Sequence, residues 1–474
     1  MSVAWLLVAT AASAWTGWWL VRAFWPERAG RDIGTVLVRG SLAMGLGWAV
    51  GGVHYCLWRM MYPQQGWVYR LADCVAIPAI AWWVGWRGSQ MEPPRATDEG
   101  ARWGLRAYTV GLVFVTAGMV VGALVVVAGW AWREPLGIWD GWAIWNLKAR
   151  FLYRGGADWT GVFSSEIWFS HPDYPLLLPA TIARLWTYLG QETTLVPQVT
   201  SIGYTGLVMT LLFGAVAWLR GVESACYAVL LLVSSAAFLY YGGGQVADVP
   251  MSLYVLGAMV AIAAAGRAEQ GRGKLMVLAG VLAGCAAMLK NEGMVICLAL
   301  LVATFVGRKK GRGVLLVAAG MLPGVLLVAG QKTLFAGASY LVADQPSAAE
   351  VLHKLFDLSR HRTILGFLWE CNFGFRGWRP IAGWWLALPV PNHAGLILAI
   401  ALVVVCGVRR GGRDGLAVVV GCVAVTLTVG AYYVTLLAMP YDLAELVKSI
   451  PRLQLHVWPM LIFMLLLMPR DQSA

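Results

Sequence analysis

Side chains that can transfer protons or bind phosphate stand at the ends of long apolar runs in this sequence. The acids among them are Asp140, Asp173, Asp248 and Glu292, and the bases and cations are Lys148, His171, Lys290, Arg452 and His456. Charged groups at the boundary of a hydrocarbon layer cost free energy unless they have a partner or a task. These residues are therefore the candidates for a functional site.

Asp140 is the acid with the clearest chemical use, because it lies in the segment 134–150 that follows an apolar run, and because it stands between Trp139 and Trp142. A carboxylate that is shielded by indole rings can have a raised pKa, and such a group can accept the proton of a hydroxyl nucleophile. The alternative is a structural role, as a helix cap or as the ion-pair partner of Lys148 or Arg150. The sequence alone leaves both roles open.

The stretch from Gly242 to Pro250 combines a run of glycines with an acid. Glycines allow a tight turn and a close approach of the backbone to a ligand, and Pro250 suits the first turn of a helix. Asp248 would then lie at the N-terminus of that helix, where capping is the ordinary role of an acid. Ligand binding is the alternative role for Asp248.

Lys290 and Glu292 belong to the sequence Lys290-Asn-Glu-Gly293, which separates two apolar runs. Both charges are costly at membrane depth, so they require partners or water. Mutual pairing across the turn would supply the partners. The alternative is that Lys290 binds a phosphate and that Glu292 binds a polar ligand or a metal ion.

Arg452 and His456 are spaced i, i+4, which predicts that they share one face of the last apolar helix. An arginine in this place can bind phosphate through two parallel hydrogen bonds. The alternative is that its side chain extends along the apolar surface towards water. For the segment His171-Pro-Asp-Tyr174, contact with a substrate and folding of the loop both stay open.

Membrane-spanning helices are the elements that must position these residues. The sequence is 59% hydrophobic and 13% charged, whereas soluble domains are about 25% charged. Apolar runs of roughly 20 residues, enough for a helix to cross a bilayer, recur along the chain. We predict an all-α polytopic membrane protein with about 13 spans, at 3–21, 36–60, 68–86, 106–130, 195–218, 222–241, 248–266, 274–290, 292–307, 313–335, 391–408, 414–437 and 452–468.

The charge distribution orients this predicted bundle. The net charge is +12, but Lys and Arg cluster in alternate short connectors and form no stripe with exposed aromatic residues, which argues against nucleic-acid binding. By the positive-inside rule, those connectors face the cytoplasm. The candidate site residues then all lie at or near the opposite, outer face.

The first large outer loop, residues 131–194, is predicted to carry two helices that lie in the membrane interface. In the first, at 140–153, apolar and aromatic residues recur at helical spacing and Lys148 lies on the polar side. The second is predicted at 174–189. Short helices at 338–390 are predicted to cover the site from the outside.

Together these motifs resemble those of bacterial GT-C membrane glycosyltransferases, relatives of the protein O-mannosyltransferase and aminoarabinose transferase group. The most specific part is an outer acid after a transmembrane helix, Asp140, followed by a tryptophan-rich helix and by the segment His171-Pro-Asp-Tyr-Pro-Leu-Leu-Leu-Pro179. Further similar stretches are Ala247-Asp-Val-Pro250, Lys290-Asn-Glu-Gly293 and Tyr441-Asp-Leu to Arg452-Leu. The resemblance covers roughly residues 105–468.

The resemblance implies a GT-C-like bundle that transfers a sugar, with inversion, from a polyprenyl-phosphate donor to a hydroxyl of a glycolipid, polysaccharide or protein. It implies that Asp140 is the catalytic base and that Lys290 and Arg452 hold the lipid phosphate. Substrate contact is expected for Lys148, His171, Asp173, Asp248, Glu292 and His456. Some members of the superfamily use a divalent cation, so a metal ion stays open. The expected location is the bacterial cytoplasmic membrane, with the site facing the periplasm or exterior.

The chain departs from the family pattern in two places. Three predicted spans precede the helix that leads to Asp140, and Trp139 stands where several relatives carry a second acid. The predicted units are accessory helices at 1–104, a catalytic core at 105–337, an outer segment at 338–390 and C-terminal helices at 391–474.

Two other functions stay open. A transporter or lipid flippase would need a polar pathway to the cytoplasmic face, and a non-catalytic assembly or polymer-binding subunit would bury Asp140 against an arginine with no cavity beside it.

Overall fold

The protein is a multi-pass membrane protein built from helices. The computed structural model describes residues 2–25, 32–62, 64–89, 107–308, 311–335, 347–373, 414–438 and 449–468, and none of these residues forms a strand. Within those ranges, eight helices are long and apolar enough to cross a membrane, or nine if one bent pair is counted as a span. The all-helical prediction is therefore confirmed.

The helices are numbered in chain order. They are α1 Ser2–Phe24, α2 Ile33–Met61, α3 Trp67–Gly88, α4 Ala107–Arg133, α5 Leu147–Arg154, α6 Leu177–Leu189, α7 Leu195–Arg220, α8 Val222–Val233, α9 Ala236–Gly243, α10 Asp248–Arg267, α11 Arg272–Ala287, α12 Glu292–Arg308, α13 Gly311–Leu334, α14 Ala348–Phe356, α15 Leu358–Phe373, α16 Gly415–Ala438, α17 Ile450–Leu455 and α18 Trp458–Leu467. Short 3₁₀ segments at Gly156–Phe163 and Ser165–Ser170 lie between α5 and α6.

Several predicted spans differ from the helices observed. The span at 222–241 is bent by 70° between α8 and α9, because Ser235 adopts an extended backbone and caps α9 with its hydroxyl. The span at 452–468 divides into α17 and α18, and a proline is the second residue of each helix. The span at 391–408 lies outside the described residues. The predicted count of about 13 spans therefore stays a prediction.

Helix α10 is the centre of the bundle. Its sequence is apolar around the whole circumference, and 94% of its most apolar window is buried, as expected for a helix surrounded by other helices. It packs against α7, α11, α16 and α18. The residues at its first turn therefore lie where several helices end together.

A buried charge network joins the N-terminal helices to α6. Arg184 of α6 donates from Nε and Nη2 to Asp73 Oδ2 in α3, at 2.8 and 2.7 Å. Tyr188 donates its hydroxyl to the same oxygen at 2.7 Å, and His54 Nδ1 of α2 lies 2.9 Å from Asp73 Oδ1. Arg184 Nη1 donates to Ser13 of α1 at 3.0 Å. The three N-terminal helices are thus bound to the loop between α4 and α7.

Helices α5 and α6 occupy the places of the two predicted interfacial helices. Helix α5 ends at Arg154, directly before the glycines that were predicted to end it. Only the second half of the predicted helix is α-helical, since Gly141–Asn146 forms a π-helix, and α6 begins three residues after the predicted start at 174. Almost every residue of α6 is buried among the other helices. The hydroxyl groups of Thr181, Thr187 and Tyr188 and the guanidinium group of Arg184 are all hydrogen-bonded within the protein, so α6 can be buried on every side instead of lying half-exposed in the membrane interface. The end of the bundle that carries residues 134–194 is called the loop end below.

Candidate functional site

Two chain segments that are hydrogen-bonded to each other fix the position of Asp140. Ile138 N, in the turn after α4, donates to Gly244 O at 3.2 Å. The side chain of Gln245 donates to the carbonyls of the same turn at 3.1 and 3.3 Å, and Asn146 Nδ2 donates to Gln245 Oε1 at 2.8 Å. Asp140 is therefore held beside the first turn of the central helix α10.

Glycines in these two segments allow the backbones to approach closely. A Cβ atom on Gly243 would lie 2.6 Å from Val127 O in α4, and one on Gly141 would lie 2.7 Å from Gly244 O. The residue with a left-handed backbone is Gln245, with φ of 59°. That conformation costs free energy for a residue with a side chain, and the hydrogen bonds of its amide offset the cost. Gln245 was not among the residues singled out by the sequence.

Asp140 is bound to Arg452. Arg452 Nη1 donates to Asp140 Oδ2, and the two side chains are 26% and 21% exposed. The expected local partners, Lys148 and Arg150, are not used: Arg150 instead binds Glu192 at 2.7 Å. The residues proposed as base and as phosphate ligand thus contact each other, and both reach the protein surface.

A second group of charges lies behind this pair at the ends of α10, α12 and α17. Lys290 Nζ lies 3.0 Å from Asp248 Oδ1 and 3.3 Å from Glu292 Oε1. His456 Nε2 lies 2.8 Å from Asp248 Oδ1, and its Nδ1 lies 3.0 Å from the hydroxyl of Tyr432. Lys290 and Glu292 therefore pair across the turn, and Asp248 is the centre of an ion-pair network instead of a helix cap. Lys290 is therefore buried, and its ammonium group is paired with two carboxylates.

Two carboxylate oxygens of this network have no donor among the described residues. They are Asp248 Oδ2 and Glu292 Oε2, and both atoms are buried. A buried acceptor without a hydrogen bond costs free energy, and such groups in proteins usually have an explanation in function or in bound solvent. These two oxygens can accept hydrogen bonds from hydroxyl groups or from water.

Lys148 is completely buried, so its predicted place on the polar side of an interfacial helix is wrong. Its Nζ donates to His171 O at 2.6 Å and to Tyr174 O at 3.3 Å. Burial lowers the pKa of Lys148 to about 7. His171 itself has a left-handed φ of 49° and stacks on Tyr174 at 4.8 Å between ring centroids. Lys148 therefore holds the turn of the His171–Tyr174 segment by its backbone.

Asp173 connects the same segment to α12 and α13. Asn291 Nδ2 donates to Asp173 Oδ2 at 2.6 Å, and Lys332 Nζ donates to Asn291 Oδ1 at 2.8 Å. Sequence reasoning missed both partners. Asn291 is the uncharged residue between Lys290 and Glu292, and Lys332 lies at the end of an apolar run, where a lysine is common. The loop segment is therefore tied to the same helix ends that carry Lys290 and Glu292.

The carboxylates of this site are not arranged to bind a divalent cation. Asp140, Asp248 and Glu292 each contact a basic side chain, which neutralises the charge that a metal ion would require. No group of three or more His, Cys, Asp and Glu side chains suited to a metal ion occurs in the described part of the chain. No chemical step is therefore assigned to a metal.

All nine predicted site residues lie at the loop end of the bundle. Asp140, His171, Glu292 and Arg452 are partly exposed there, while Lys148, Asp173, Asp248, Lys290 and His456 are buried behind them. The exposed group can take part in proton transfer or anion binding, and the buried group positions it. Comparison of the chain with protein-family models, with curated proteins and with solved structures finds no match.

Proposed function

We propose that this protein transfers a glycosyl group from a polyprenyl-phosphate donor to a hydroxyl acceptor. The observation that carries this proposal is the contact between the partly exposed side chains of Asp140 and Arg452. The reaction needs a base for the acceptor hydroxyl and a cation for the leaving phosphate, and here these two groups are neighbours. The GT-C resemblance supplies the reaction class, and the position of this pair at one end of the bundle supports it.

An exchange of partners by Arg452 would start the reaction. The phosphate of the donor competes with Asp140 for the guanidinium group, which binds phosphate oxygens bidentately. The Asp140 carboxylate then accepts the proton of the acceptor hydroxyl as its oxygen attacks the anomeric carbon. The bond from that carbon to the phosphate oxygen breaks, its electron pair leaves with the polyprenyl phosphate, and the configuration inverts. Arg452 stabilises the leaving group.

The buried network would bind the sugar. Asp248 Oδ2 and Glu292 Oε2 can each accept a hydrogen bond from a sugar hydroxyl, which satisfies both buried oxygens. Lys290 and His456 would fix the orientation of the two carboxylates through their first oxygens. Under this assignment Lys290 positions the site, and phosphate binding belongs to Arg452.

The reaction would take place at the outer face of a bacterial cytoplasmic membrane. Helices α7 and α10 begin at the loop end and end at Arg220 and Arg267, and the positive-inside rule assigns the connectors that carry these arginines to the cytoplasm. Trp132, Trp139 and Trp142 are exposed at the loop end, and tryptophan is enriched at the boundary between lipid and water. The acceptor would be a glycolipid, polysaccharide or protein that presents its hydroxyl there.

Replacement of Asp140 by Asn tests the proposal. Purified protein is incubated with a panel of polyprenyl-phosphate sugars and hydroxyl acceptors, and the release of polyprenyl phosphate is measured. We expect Asp140→Asn to lower the rate about 10²- to 10⁴-fold, because it removes the general base. Asp158→Asn is the matched control, since Asp158 is an exposed acid in the same loop and should leave the rate unchanged. Full activity in Asp140→Asn would refute the mechanism.

A non-catalytic binding subunit is the second candidate function, because Asp140 accepts a hydrogen bond from Arg452. In that case the pair would be a structural ion pair, and the donor panel would release no polyprenyl phosphate with any acceptor. Arg452→Lys separates the two functions. Loss of the bidentate fork should slow glycosyl transfer strongly, whereas a merely structural pair tolerates lysine with a small loss of stability.

A further inference from the structure

Helices α14 and α15 are too short or too polar to cross a membrane. Helix α14 has 9 residues, and α15 has 16 residues that include the sequence Arg360-His-Arg362, whereas a spanning helix needs about 20 predominantly apolar residues. Ser347 and Glu350 form a capping box at the start of α14. Asp357 caps α15 by accepting hydrogen bonds from N and Oγ of Ser359 at 2.9 and 2.7 Å. The chain therefore builds two separate short helices here, and the proposed reaction gives neither a role.

These two helices lie at the loop end, across the last turns of α16. His361 Nδ1 lies 2.6 Å from the hydroxyl of Tyr433. Ile364 packs in one buried cluster with Leu436 of α16 and with Ile450, the first residue of α17. All residues of α16 in this cluster lie within its last six residues. Helix α15 therefore crosses the end of α16 and does not run beside it through the membrane.

Large apolar side chains are exposed along one face of each of the two helices. On α14 they are Leu352 and Phe356, which are 55% and 79% exposed. On α15 they are Leu358, Leu365 and Trp369, which are 81%, 53% and 65% exposed. On an α-helix these spacings place the side chains within about 40° of one direction. A continuous apolar surface of this kind marks a contact with another surface.

Polar side chains occupy a different face of the same helices. They are exposed at Glu350 and His353 on α14 and at Ser359, Thr363 and Glu370 on α15. Each helix thus has one face against the protein, one exposed apolar face and one exposed polar face. A helix that lies in the plane of a membrane boundary has apolar and polar faces of this kind, because one meets hydrocarbon and the other meets water.

Lipid is present at the end of α16 on which α15 lies. Helix α16 is long and apolar enough to cross a membrane, and Val434 in its last turns is 51% exposed. Val434 directly follows Tyr433, the partner of His361. The apolar faces of α14 and α15 are therefore within reach of the lipid that surrounds α16.

Two further features of α15 suit the boundary between lipid and water. Trp369 is exposed on the apolar face, and tryptophan is enriched at this boundary. Arg362 is exposed between the apolar and the polar face, and it forms no ion pair with a described residue. An arginine can bind a phosphate group through two parallel hydrogen bonds. Arg362 is therefore placed to reach the headgroup of a lipid whose acyl chains contact the apolar face.

We infer that α14 and α15 lie in the membrane interface at the loop end, where their apolar faces contact the acyl chains of phospholipids and Arg362 binds the phosphate of these lipids. The inference does not depend on glycosyl transfer. Because Ile364 packs with Ile450, the two helices also hold α17 from the lipid side. Arg452, on α17, is thereby kept at a fixed depth relative to the headgroups.

Fluorescence quenching in the full-length protein tests the position of the two helices. A fluorescent amino acid is incorporated genetically in place of Phe356, Leu365 or Thr363, and each protein is reconstituted into phospholipid nanodiscs. Thr363 is the matched control, because it is exposed on the polar face of α15. We expect phospholipids brominated on their acyl chains to quench the fluorophore at positions 356 and 365, and dissolved iodide to quench it at position 363.

Two outcomes of this experiment would overturn the inference. Quenching by iodide at all three positions would show that the apolar faces lie in water. Quenching by neither agent at positions 356 and 365 would show that protein covers these faces, as a second copy of the chain would.

Arg362→Gln tests the contact with phosphate. The delipidated protein in detergent is titrated with phosphatidylglycerol, and the fluorophore at position 365 reports binding. We expect an affinity about fivefold lower, because a single basic residue near an anionic lipid surface contributes this much. Arg272→Gln is the matched control, since Arg272 is an exposed arginine at the other end of the bundle. An affinity equal to that of the Arg272→Gln variant would refute the role of Arg362.

Discussion

Two ion pairs between an aspartate and an arginine lie in different surroundings in this protein. Asp73 and Arg184 are 1% and 2% exposed, and Tyr188 and His54 also contact the Asp73 carboxylate. Asp140 and Arg452 are 21% and 26% exposed, and Arg452 is the one hydrogen-bond donor to the Asp140 side chain among the described residues. The Asp73 carboxylate therefore has several hydrogen-bonding partners, whereas the Asp140 carboxylate has one donor among the described residues.

The difference separates a structural pair from a pair that can change partners. A buried carboxylate with several donors loses much by any rearrangement, because each donor would be left unpaired in a medium of low dielectric constant. A carboxylate that water reaches and that has one donor can exchange that donor for water or a ligand at a lower cost. The mechanism proposed for Arg452 needs a pair of the second kind.

The largest effect is expected from breaking the buried pair. Arg184→Met leaves Asp73 uncompensated and should lower the free energy of unfolding by about 3–5 kcal/mol, measured by thermal denaturation in detergent. Arg150→Met is the control, since Arg150 and its partner Glu192 are partly exposed, and it should cost less than about 1 kcal/mol. Adding Asp73→Leu to Arg184→Met should restore part of the stability. If Arg184→Met and Arg150→Met were equally stable, the buried Asp73–Arg184 pair would contribute no more than a partly exposed pair.

An intermediate effect is expected from Lys148, a buried cation without a carboxylate in contact. Burial lowers the pKa of Lys148 to about 7, so the unfolded chain binds more protons between this pH and the normal lysine pKa. Stability should therefore rise with pH in this range. Relative to Lys148→Met, the unaltered protein should gain about 2 kcal/mol between pH 7 and pH 9.

Denaturation of both proteins at several pH values measures this difference. Groups elsewhere in the chain titrate equally in the two proteins, so their contributions cancel. A difference in stability that stays constant from pH 7 to pH 9, or that decreases, would show that Lys148 is fully charged when the protein is folded.

The smallest effect on stability is expected at the partly exposed pair of Asp140 and Arg452. Asp140→Asn and Arg452→Met should each change the free energy of unfolding by less than about 1 kcal/mol, because water reaches both side chains and weakens their interaction. The same denaturation assay measures it. A loss comparable to that of Arg184→Met would mean that the Asp140–Arg452 pair is structural. Loss of glycosyl transfer with unchanged stability is the combination expected for a catalytic pair.

The sequence predicted the positions of the site residues better than their partners. Apolar runs and alternate positive connectors depend on local composition, so the helices and the grouping of charges at one end followed from them. The pairing of Asp140 with Arg452 joins residues 312 positions apart, and no local pattern contains it. Lys148 was misplaced because helical spacing counts every lysine as polar and cannot show that two backbone carbonyls lie beside it.

The Asp73–Arg184 network was missed for a similar reason. Each residue stands alone in a largely apolar stretch, where its charge looks like an isolated exception. The two residues are 111 positions apart in the chain and belong to elements that the sequence assigned to different units. Such a pair becomes visible only when α3 and α6 are packed together.

The order of residues in this network bears on how the protein is inserted into the membrane during synthesis. Asp73 leaves the ribosome 111 residues before Arg184, so α3 must enter the bilayer without its main counter-charge. His54 precedes Asp73 and lies 2.9 Å from it in the folded protein, so this acid finds a first partner on a helix that is already made. Arg184 completes the network when α6 arrives. The nascent chain is thereby kept from carrying an unpartnered carboxylate in lipid.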